Sequence, residues 1–236
     1  FTHMDGSQVF PDMVVTIDET ARLEMVEAGV PDSLIEIVGF TRLPPGPAHP
    51  ATDNDHFTLL FISQALSQIY GGEDASRKRI GYTQKDAFDF LAMEIENFSA
   101  SIGKKVELWL RHHPKEDVWI PDTPHTVVNS LPVDTCLAQA NLVTGMTGSM
   151  LIDALFMGRP VVSFQPNMIG HDRLMPSRQG HVMRVNSPDE TLAALIKAAG
   201  QPPTLPETLG LAADGKGIER FCVHIKSMLK QSFHQK

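Results

Sequence analysis

The chain has 236 residues, 42% hydrophobic and 20% charged, which is the composition of an ordinary globular protein and excludes a collagen, a coiled coil or a disordered chain. Twenty Lys and Arg against 28 Asp and Glu give a formal net charge of −8, which disfavours nucleic acid as a partner. No apolar run approaches the ~20 residues of a transmembrane helix, and the first residues lack the pattern of a signal peptide. We therefore expect a cytoplasmic protein, with peripheral membrane attachment as the alternative.

The first residues predict the end of an α/β domain. The run Met13–Ile17 is apolar and β-branched, as in a buried parallel strand, and a helix follows over residues 18–29 with Asp18 or Thr20 as its cap. Residues 35–40 predict a second strand. Because the chain starts as if in the middle of a fold, we expect a missing N-terminal domain or a partner chain.

A proline-rich segment follows this first part of the chain. Pro44, Pro45, Pro47 and Pro50 predict a stiff, extended linker. The expected organisation is therefore the end of an N-terminal α/β domain at residues 1–43, a linker at residues 44–56 and a second α/β domain at residues 57–236.

After the linker, strand and helix patterns alternate along the chain. Apolar runs predict strands at residues 57–63, 106–111, 126–128, 141–144, 161–165 and 181–185. Helical periodicity and capping residues predict helices at residues 83–101, 131–140, 148–158, 188–199 and 217–233. This alternation predicts a doubly wound parallel sheet with right-handed crossovers, which is a Rossmann-like α/β fold.

Ligands of a doubly wound sheet bind outside the carboxyl ends of its strands, so the residues that follow each strand form the candidate site. Polar side chains follow four of the predicted strands. They are Gln64, Arg111, His113, Thr147, Ser149 and Gln165, with Pro114 and Gly148 between them.

The segment Gly145–Ser149 predicts a phosphate site. Its two glycines allow close approach of the backbone, and the free N–H groups and dipole of the following helix favour an anion. The alternative is that Thr147 or Ser149 only caps this helix. The chain has neither the Walker sequence GxxxxGK[ST] nor GxGxxG after a strand, which argues against nucleoside triphosphate hydrolysis and dinucleotide redox chemistry.

His113 is the second candidate ligand group, because Pro114 fixes the backbone after it and directs the imidazole towards the strand ends. For His112 we predict a surface turn on the opposite face. Arg111 either faces the ligand or pairs with Glu116 or Asp117. Adjacent histidines point to opposite faces of an extended segment, so no metal site is expected.

The predicted loop after residue 165 is dense in hydrogen-bonding groups, and His171, Asp172 and Arg173 are its candidate donor or acceptor contacts. A Ser-His-Asp hydrolase could be composed from Ser149, His171 and Asp172. The GxSxG turn of such hydrolases is absent, because Leu151 stands where the second glycine would be.

Two segments, Arg111–Pro114 and Thr147–Ser163 (TGSMLIDALFMGRPVVS), resemble the C-terminal, nucleotide-binding half of GT-B glycosyltransferases. The resemblance is greatest to bacterial capsule, lipooligosaccharide and teichoic-acid transferases, which include users of CMP-sialic acid. That family has a His-Pro motif after one strand and a Ser/Thr-rich motif at the start of a later helix. A Gly-[Lys/Arg]-Pro-Val-Val strand entry follows that helix.

The resemblance implies that His113 contacts the nucleotide phosphate or base and that Thr147, Gly148 and Ser149 hold the phosphate. It implies a metal-independent glycosyltransferase of bacterial surface polysaccharide or glycolipid synthesis. Its substrate would be a CMP- or UDP-linked sugar, with no cofactor, and its acceptor site and catalytic base would belong to the missing N-terminal domain. This chain differs from many relatives in having Thr-Gly-Ser in place of adjacent serines.

Two alternatives stay open at this point. A non-catalytic nucleotide-binding or scaffold domain can have the same fold without turnover. A sugar-nucleotide 2-epimerase shares the fold as well, although the Gly-Gly signature of that family, with acidic residues in the following helix, is absent here.

Overall fold

The computed structural model describes residues 9–41, 55–201 and 214–234, which divide into two compact units. The larger unit holds residues 55–201, and the smaller unit holds residues 9–41 together with 214–234. Of the predicted linker, residues 44–54 lie outside the described residues. The last helix, predicted as part of the domain at residues 57–236, groups by its contacts with the first segment.

The smaller unit contains a two-stranded parallel sheet, in which β1 (Val14–Thr16) pairs with β2 (Ile35–Ile37). Helix α1 (Glu19–Glu27) connects the two strands. Its cap is Asp18, whose carboxylate accepts a hydrogen bond of 2.8 Å from the Ala21 N–H, so the predicted cap is confirmed.

The larger unit is built on a six-stranded sheet in which every neighbouring pair of strands is parallel. In chain order its strands are β3 (His56–Ile62), β4 (Lys105–Arg111), β5 (Thr126–Val127), β6 (Leu142–Gly145), β7 (Val161–Phe164) and β8 (Met183–Val185). Their spatial order is β5-β4-β3-β6-β7-β8. The chain therefore winds outward from β3 to one edge and from β6 to the other, which confirms the predicted doubly wound sheet.

Nine further α-helices follow α1 in the described residues. They are α2 (Leu66–Tyr70), α3 (Glu73–Ile80), α4 (Gln84–Ala92), α5 (Ile95–Ile102), α6 (Val133–Gln139), α7 (Ser149–Phe156), α8 (Met175–Arg178), α9 (Pro188–Ala199) and α10 (Gly217–His234). Within the described ranges, none has the length and apolar character needed to cross a membrane.

The helix predicted over residues 83–101 is two helices, α4 and α5. The Glu94 N–H bonds to the carbonyl of Leu91, three residues back, and this tighter turn ends α4. No glycine or proline marks the break, and Phe88, Leu91 and Phe98 are all fully buried on both sides of it. The apolar pattern therefore continued across the break and predicted a single helix.

The sequence analysis assigned no element to α2 and α3. In α3 only Ser76 and Ile80 are buried, so this helix has no apolar stripe from which its periodicity could be recognised. The Ser76 hydroxyl donates to the carbonyl of Tyr82 at 2.7 Å, which fixes the end of α3 against the start of the next helix. The short helix α8 likewise lies within the loop predicted after β7.

The core of the larger unit lies between the sheet and helices α4, α5 and α9. Phe61 of β3 packs edge-to-face on Phe88 with ring centroids 5.2 Å apart, and Phe57 packs in the same way on Phe98 at 5.4 Å. All four are at least nine-tenths buried, and each contributes roughly 1.5–3 kcal/mol of hydrophobic stabilisation. This packing holds the strand ends, where the site is predicted, on a rigid base.

Candidate functional site

The order of the strands reverses between β3 and β6, the two central strands of the sheet. The chain leaves β3 towards one edge and β6 towards the other, so the connections after these strands diverge and leave a crevice outside their carboxyl ends. We call this crevice the switch-point crevice. Gln64 follows β3, and Thr147, Gly148 and Ser149 follow β6.

The two sides of the switch-point crevice are joined by Gln64. Its Oε1 accepts a hydrogen bond of 2.7 Å from the Thr147 N–H, and the Thr147 hydroxyl lies 3.4 Å from the same oxygen. A Cβ placed on Gly148 would lie 3.4 Å from Cδ of Gln64, so the carboxamide packs against this glycine. Since Oε1 is engaged, Nε2 of Gln64 is the available donor, and it has no partner among the described residues.

No side chain caps the start of helix α7. Its N-cap is Gly148, and neither Thr147 nor Ser149 makes a capping hydrogen bond. Ser149 is the first helical residue and is exposed. The capping interpretation of these two residues is therefore wrong, and the first turn presents N–H groups and a free hydroxyl at the positive end of the helix dipole.

Gly145 is predicted to let a ligand approach the backbone, but in the structure the absence of its side chain serves the pairing of two strands. A Cβ at this position would lie 2.7 Å from the carbonyl oxygen of Ile62. The missing side chain therefore allows β6 to pair closely with β3, and Gly148 is the glycine that opens towards the crevice.

His113 is half-buried just beyond β4. Its Nδ1 accepts a hydrogen bond of 3.1 Å from the Lys115 N–H, which places the proton of the neutral imidazole on Nε2. Nε2 has no partner in the part of the chain that the structure describes, so it is a donor available to a ligand. Pro114 is exposed in the turn that this arrangement forms.

Glu116 joins the candidate site residues, although its place in the sequence did not indicate this. Its buried carboxylate accepts hydrogen bonds from the Ser63 hydroxyl at 2.8 Å, from the His113 N–H at 2.9 Å and from Nε1 of Trp119. It thus joins the ends of β3 and β4 and fixes the backbone of His113. The only trace of this role in the sequence is an acid three residues after the histidine, which marks a tight turn.

Arg111 contacts the β5–α6 connection. Its guanidinium donates to the carbonyls of Val128 at 3.0 Å and Leu131 at 2.8 Å. Among the described residues it pairs with neither Glu116 nor Asp117, and its contact with a ligand stays a prediction. His112 is buried, with Nε2 at 2.9 Å from the carbonyl of Trp119, and the predicted surface turn is therefore wrong for this residue.

Gln165 is fully buried beyond β7. Its Nε2 donates to the Ser163 hydroxyl at 2.9 Å and to Oδ1 of Asp172 at 2.7 Å. The same Oδ1 accepts from the Leu174 N–H at 2.9 Å, and Arg184 lies 3.5 Å from Oδ2. These bonds give Gln165 and Asp172 a structural role in holding the loop after β7.

This arrangement excludes the Ser-His-Asp hydrolase that the sequence allowed. The carboxylate of Asp172 is occupied by the loop's own hydrogen bonds, and it makes none to the exposed His171. Ser149 likewise contacts neither residue among the described hydrogen bonds.

Two guanidinium groups converge on the ring of Tyr70 in α2. Arg173 donates a hydrogen bond to the Tyr70 hydroxyl and lies 5.9 Å from the ring centroid, and Arg79 lies 5.7 Å from the same centroid. Within the described ranges neither arginine is paired with a carboxylate.

Burial raises the pKa of the neighbouring Tyr82 hydroxyl, so this phenol stays neutral at physiological pH.

Comparisons with known proteins bear on the fold. No family model and no curated protein sequence matches the chain. Among solved structures it is similar to the UDP-GlcNAc 2-epimerase of Methanocaldococcus jannaschii, solved with UDP-GlcNAc and UDP, at a TM-score of 0.63 and 13% identity over 92% of this chain and 61% of that one.

Two further solved structures have the same fold. S. aureus MnaA, solved with UDP, gives a TM-score of 0.58 at 13% identity over 93% of this chain and 60% of the other. The glycotransferase of kitacinnamycin gives a TM-score of 0.56 at 17% identity, over 92% of this chain and 55% of the other. The chain has the fold of GT-B Rossmann-like domains, and it spans less than two thirds of the length of each of these structures.

Proposed function

We propose that this chain is the donor-binding part of a glycosyltransferase and binds a nucleotide sugar in the switch-point crevice. The observation that carries the proposal is the uncapped start of α7, which presents N–H groups and the Ser149 hydroxyl where the strand order reverses. Both a helix N-terminus and a strand-order reversal favour phosphate ligands, and here the two coincide.

Each group of the crevice has a defined part in this proposal. The first-turn N–H groups of α7 and the Ser149 hydroxyl bind a phosphate of the nucleotide. The Thr147 N–H is already donated to Gln64, so Thr147 shapes the loop while Nε2 of Gln64 provides a further donor. The Nε2–H of His113 donates to the phosphate or to a base carbonyl. Arg111 acts through the backbone carbonyls that it binds, and Gln165 acts through Asp172, which holds the loop after β7.

In glycosyl transfer the bond between the anomeric carbon and the phosphate oxygen breaks, and negative charge develops on the departing nucleotide. Preorganised donors stabilise such charge. The donors at α7 and His113 are fixed by the fold, and Arg79 and Arg173 add two cationic groups beside Tyr70, in the helix that follows β3. We propose that these groups take the place of a divalent metal. The acceptor hydroxyl and the base that removes its proton would belong to a further domain.

The finer assignment rests on the motifs in the sequence. The His-Pro turn at His113 and the Thr147–Ser163 segment resemble bacterial capsule, lipooligosaccharide and sialic acid transferases. We therefore propose a role in bacterial surface polysaccharide or glycolipid synthesis, in the cytoplasm, with a CMP- or UDP-linked sugar as donor.

A second candidate is a nucleotide-sugar 2-epimerase, and the specific observation in its favour is the fold. Two of the similar structures were solved with UDP, and one of those is a UDP-GlcNAc 2-epimerase. Incubation with UDP-GlcNAc alone distinguishes the two activities, because an epimerase changes the sugar without an acceptor and a transferase does not.

The test of the proposed function is calorimetric titration and thermal unfolding of the chain with CMP, CDP, UDP, GDP and their sugars. A ligand that binds only the folded state raises the melting temperature. We expect at least one nucleotide to do so and to bind at micromolar to millimolar concentration. If no member of the panel binds, the donor-site proposal is wrong.

A further inference from the structure

A second cleft opens beside the switch-point crevice, between the α2–α3 turn, the start of α4 and the segment after β4. Its volume is about 410 Å³, which is within the range of small-molecule sites. Its polar and aromatic lining includes Ser67, Glu73, Gln84, Lys85, Asp117 and Trp119. None of the proposed donor-site residues lines it, so it is a separate site, which we call the α4 cleft.

Gln84 is the most informative residue of the α4 cleft. It is only 2% exposed, yet it lines the cleft. Its carboxamide oxygen accepts from the Ser67 N–H at 3.2 Å and from the Ser67 hydroxyl at 3.1 Å. Because a backbone N–H can only donate, these bonds fix which end of the amide is the oxygen.

The other end of the same amide has no protein partner. Nε2 of Gln84 makes no hydrogen bond to any described residue, and it is not one of the fully buried polar atoms. The bonds to Ser67 fix the orientation of the amide, so Nε2 is an oriented donor that an acceptor in the cleft can reach.

The charges of the α4 cleft disfavour an anionic ligand. Its one lining cation, Lys85, is paired with Glu73 at 2.5 Å. Asp117 adds a second carboxylate, which accepts from Nε2 of the exposed Gln68 at 3.1 Å. A ligand of this cleft therefore finds one fixed donor and carboxylate acceptors, with no unpaired positive charge.

Trp119 gives the cleft an apolar surface. Its Nε1–H is donated to Glu116, so the indole offers the cleft its ring and no polar group. The ring packs edge-to-face against the rings of Phe88 and His112, with centroid distances of 5.3 Å and 5.6 Å. A fixed aromatic ring beside hydrogen-bonding groups suits a ligand with one apolar face and several hydroxyls.

We propose that the α4 cleft is a saccharide-binding site. A pyranose combines a C–H face, which can lie on Trp119, with hydroxyls that accept from Gln84 and donate to Asp117 and Glu73. The proposal goes beyond the donor site and does not depend on it, because the two sites share no residue.

The test is ligand-observed saturation-transfer NMR on the full chain without nucleotide. The probes are the methyl glycosides of glucose, galactose, mannose and N-acetylglucosamine, at ~10 mM because single sugars bind weakly. Glu replaces Gln84 as the diagnostic variant: Gln84→Glu keeps the oxygen that accepts from Ser67 and removes the donor. Gln139→Glu makes the same change at an exposed position of α6 and is the matched control.

We expect at least one glycoside to bind, about tenfold weaker binding in Gln84→Glu, and unchanged binding in Gln139→Glu. Asp117→Asn changes an exposed residue and tests the acceptor side of the cleft without risk to the core. We expect Asp117→Asn to weaken saccharide binding as well, so this variant tests the proposal even if Gln84→Glu does not fold. Saccharide binding that is absent, or that neither variant weakens, overturns the proposal. UDP titrated into the same samples separates the two proposals, since nucleotide binding should persist in Gln84→Glu.

Discussion

The carboxylate of Glu116 binds the hydroxyl of Ser63 across two neighbouring strands, at a distance of 2.8 Å. The same carboxylate accepts from the N–H of His113, so one buried acid sets the position of the imidazole relative to the end of β3. A buried carboxylate needs such donors, because an unsatisfied charge is costly in the interior.

We predict that Glu116→Gln lowers both stability and nucleotide affinity. The amide loses the negative charge and replaces one acceptor with a donor that faces other donors, at a cost of about 1–3 kcal/mol in unfolding free energy. Denaturant unfolding and calorimetry would measure the two effects. Glu96→Gln, at an exposed position of α5, should change neither quantity. A stable variant with full affinity would contradict the positioning role of Glu116.

At Ser149 we predict lost affinity without lost stability. Ser149→Ala removes a hydroxyl that makes no described hydrogen bond in the protein, so nucleotide binding should weaken by about 1 kcal/mol while the melting temperature stays the same. Thr83→Ala provides the contrast. Thr83 is a true cap that accepts from the Asp86 N–H at 3.1 Å, and its loss should lower stability by about 1 kcal/mol with affinity unchanged.

For His113 the prediction concerns one nitrogen. The Oδ1 of an asparagine lies near the position of the histidine Nδ1, so it can accept the hydrogen bond from the Lys115 N–H. Asparagine has no donor at the position of Nε2. His113→Asn should therefore fold normally and bind nucleotide about tenfold more weakly. His181→Asn, outside the proposed site, is the control and should bind as the wild type does. Equal affinity in the two variants would remove His113 from the site.

The two arginines at Tyr70 predict a metal-independent, salt-sensitive contribution to binding. Replacing Arg79 and Arg173 together by Gln should weaken binding of a nucleoside diphosphate about tenfold and reduce its dependence on ionic strength. EDTA should leave the wild-type affinity unchanged. Affinity that falls on addition of EDTA would show that a divalent ion is needed after all.

Asp86 predicts how stability varies in acid. Burial raises the pKa of this carboxyl, but hydrogen bonds from Arg77 and Thr83 outweigh burial and lower the pKa below its ordinary value of 3.8. Because the pKa of Asp86 is lower in the folded state than in the unfolded state, its ionised carboxylate stabilises the fold at pH values above 3.8. This stabilisation is lost as the pH falls through the folded-state pKa. Asp86→Asn should be less stable at pH 7 and less sensitive to acid, whereas the exposed Asp122→Asn should follow the wild type in urea unfolding at each pH.

The parts of the fold that the sequence predicts correctly are those whose pattern is local. The buried strands β3, β6 and β7 consist of nearly continuous apolar runs, and these runs were assigned within one or two residues. Helix α3 was missed because its buried positions are few. The break between α4 and α5 was missed because it is made by one hydrogen bond, from Glu94 to Leu91, that no residue type announces.

In the candidate site, too, local patterns do not predict contacts between residues that are far apart in the chain. Gln64 and Ser149 could be chosen as candidates because they lie two and four residues after the ends of β3 and β6. The contact of Ser63 with Glu116 joins residues 53 apart, and that of Gln64 with Thr147 joins residues 83 apart. Long-range bonds of this kind depend on the register of neighbouring strands, which a single sequence does not specify residue by residue. The same reason explains why the burial of Gln165 and its bond to Asp172 were not foreseen.

The discontinuity of the smaller unit has a consequence for the order in which the chain can fold during synthesis. A backbone glycine, Gly217, brings α10 so close to Phe40 that a Cβ there would lie 2.0 Å from its carbonyl oxygen, and Arg220 donates to the carbonyl of Val38 at 2.8 Å. These contacts can form only after the ribosome has passed the whole of residues 55–201. The larger unit, continuous in sequence, has all its strands available first. A nonsense mutation between residues 202 and 213 would therefore spare every strand of the six-stranded sheet while leaving β1 and β2 without helix α10.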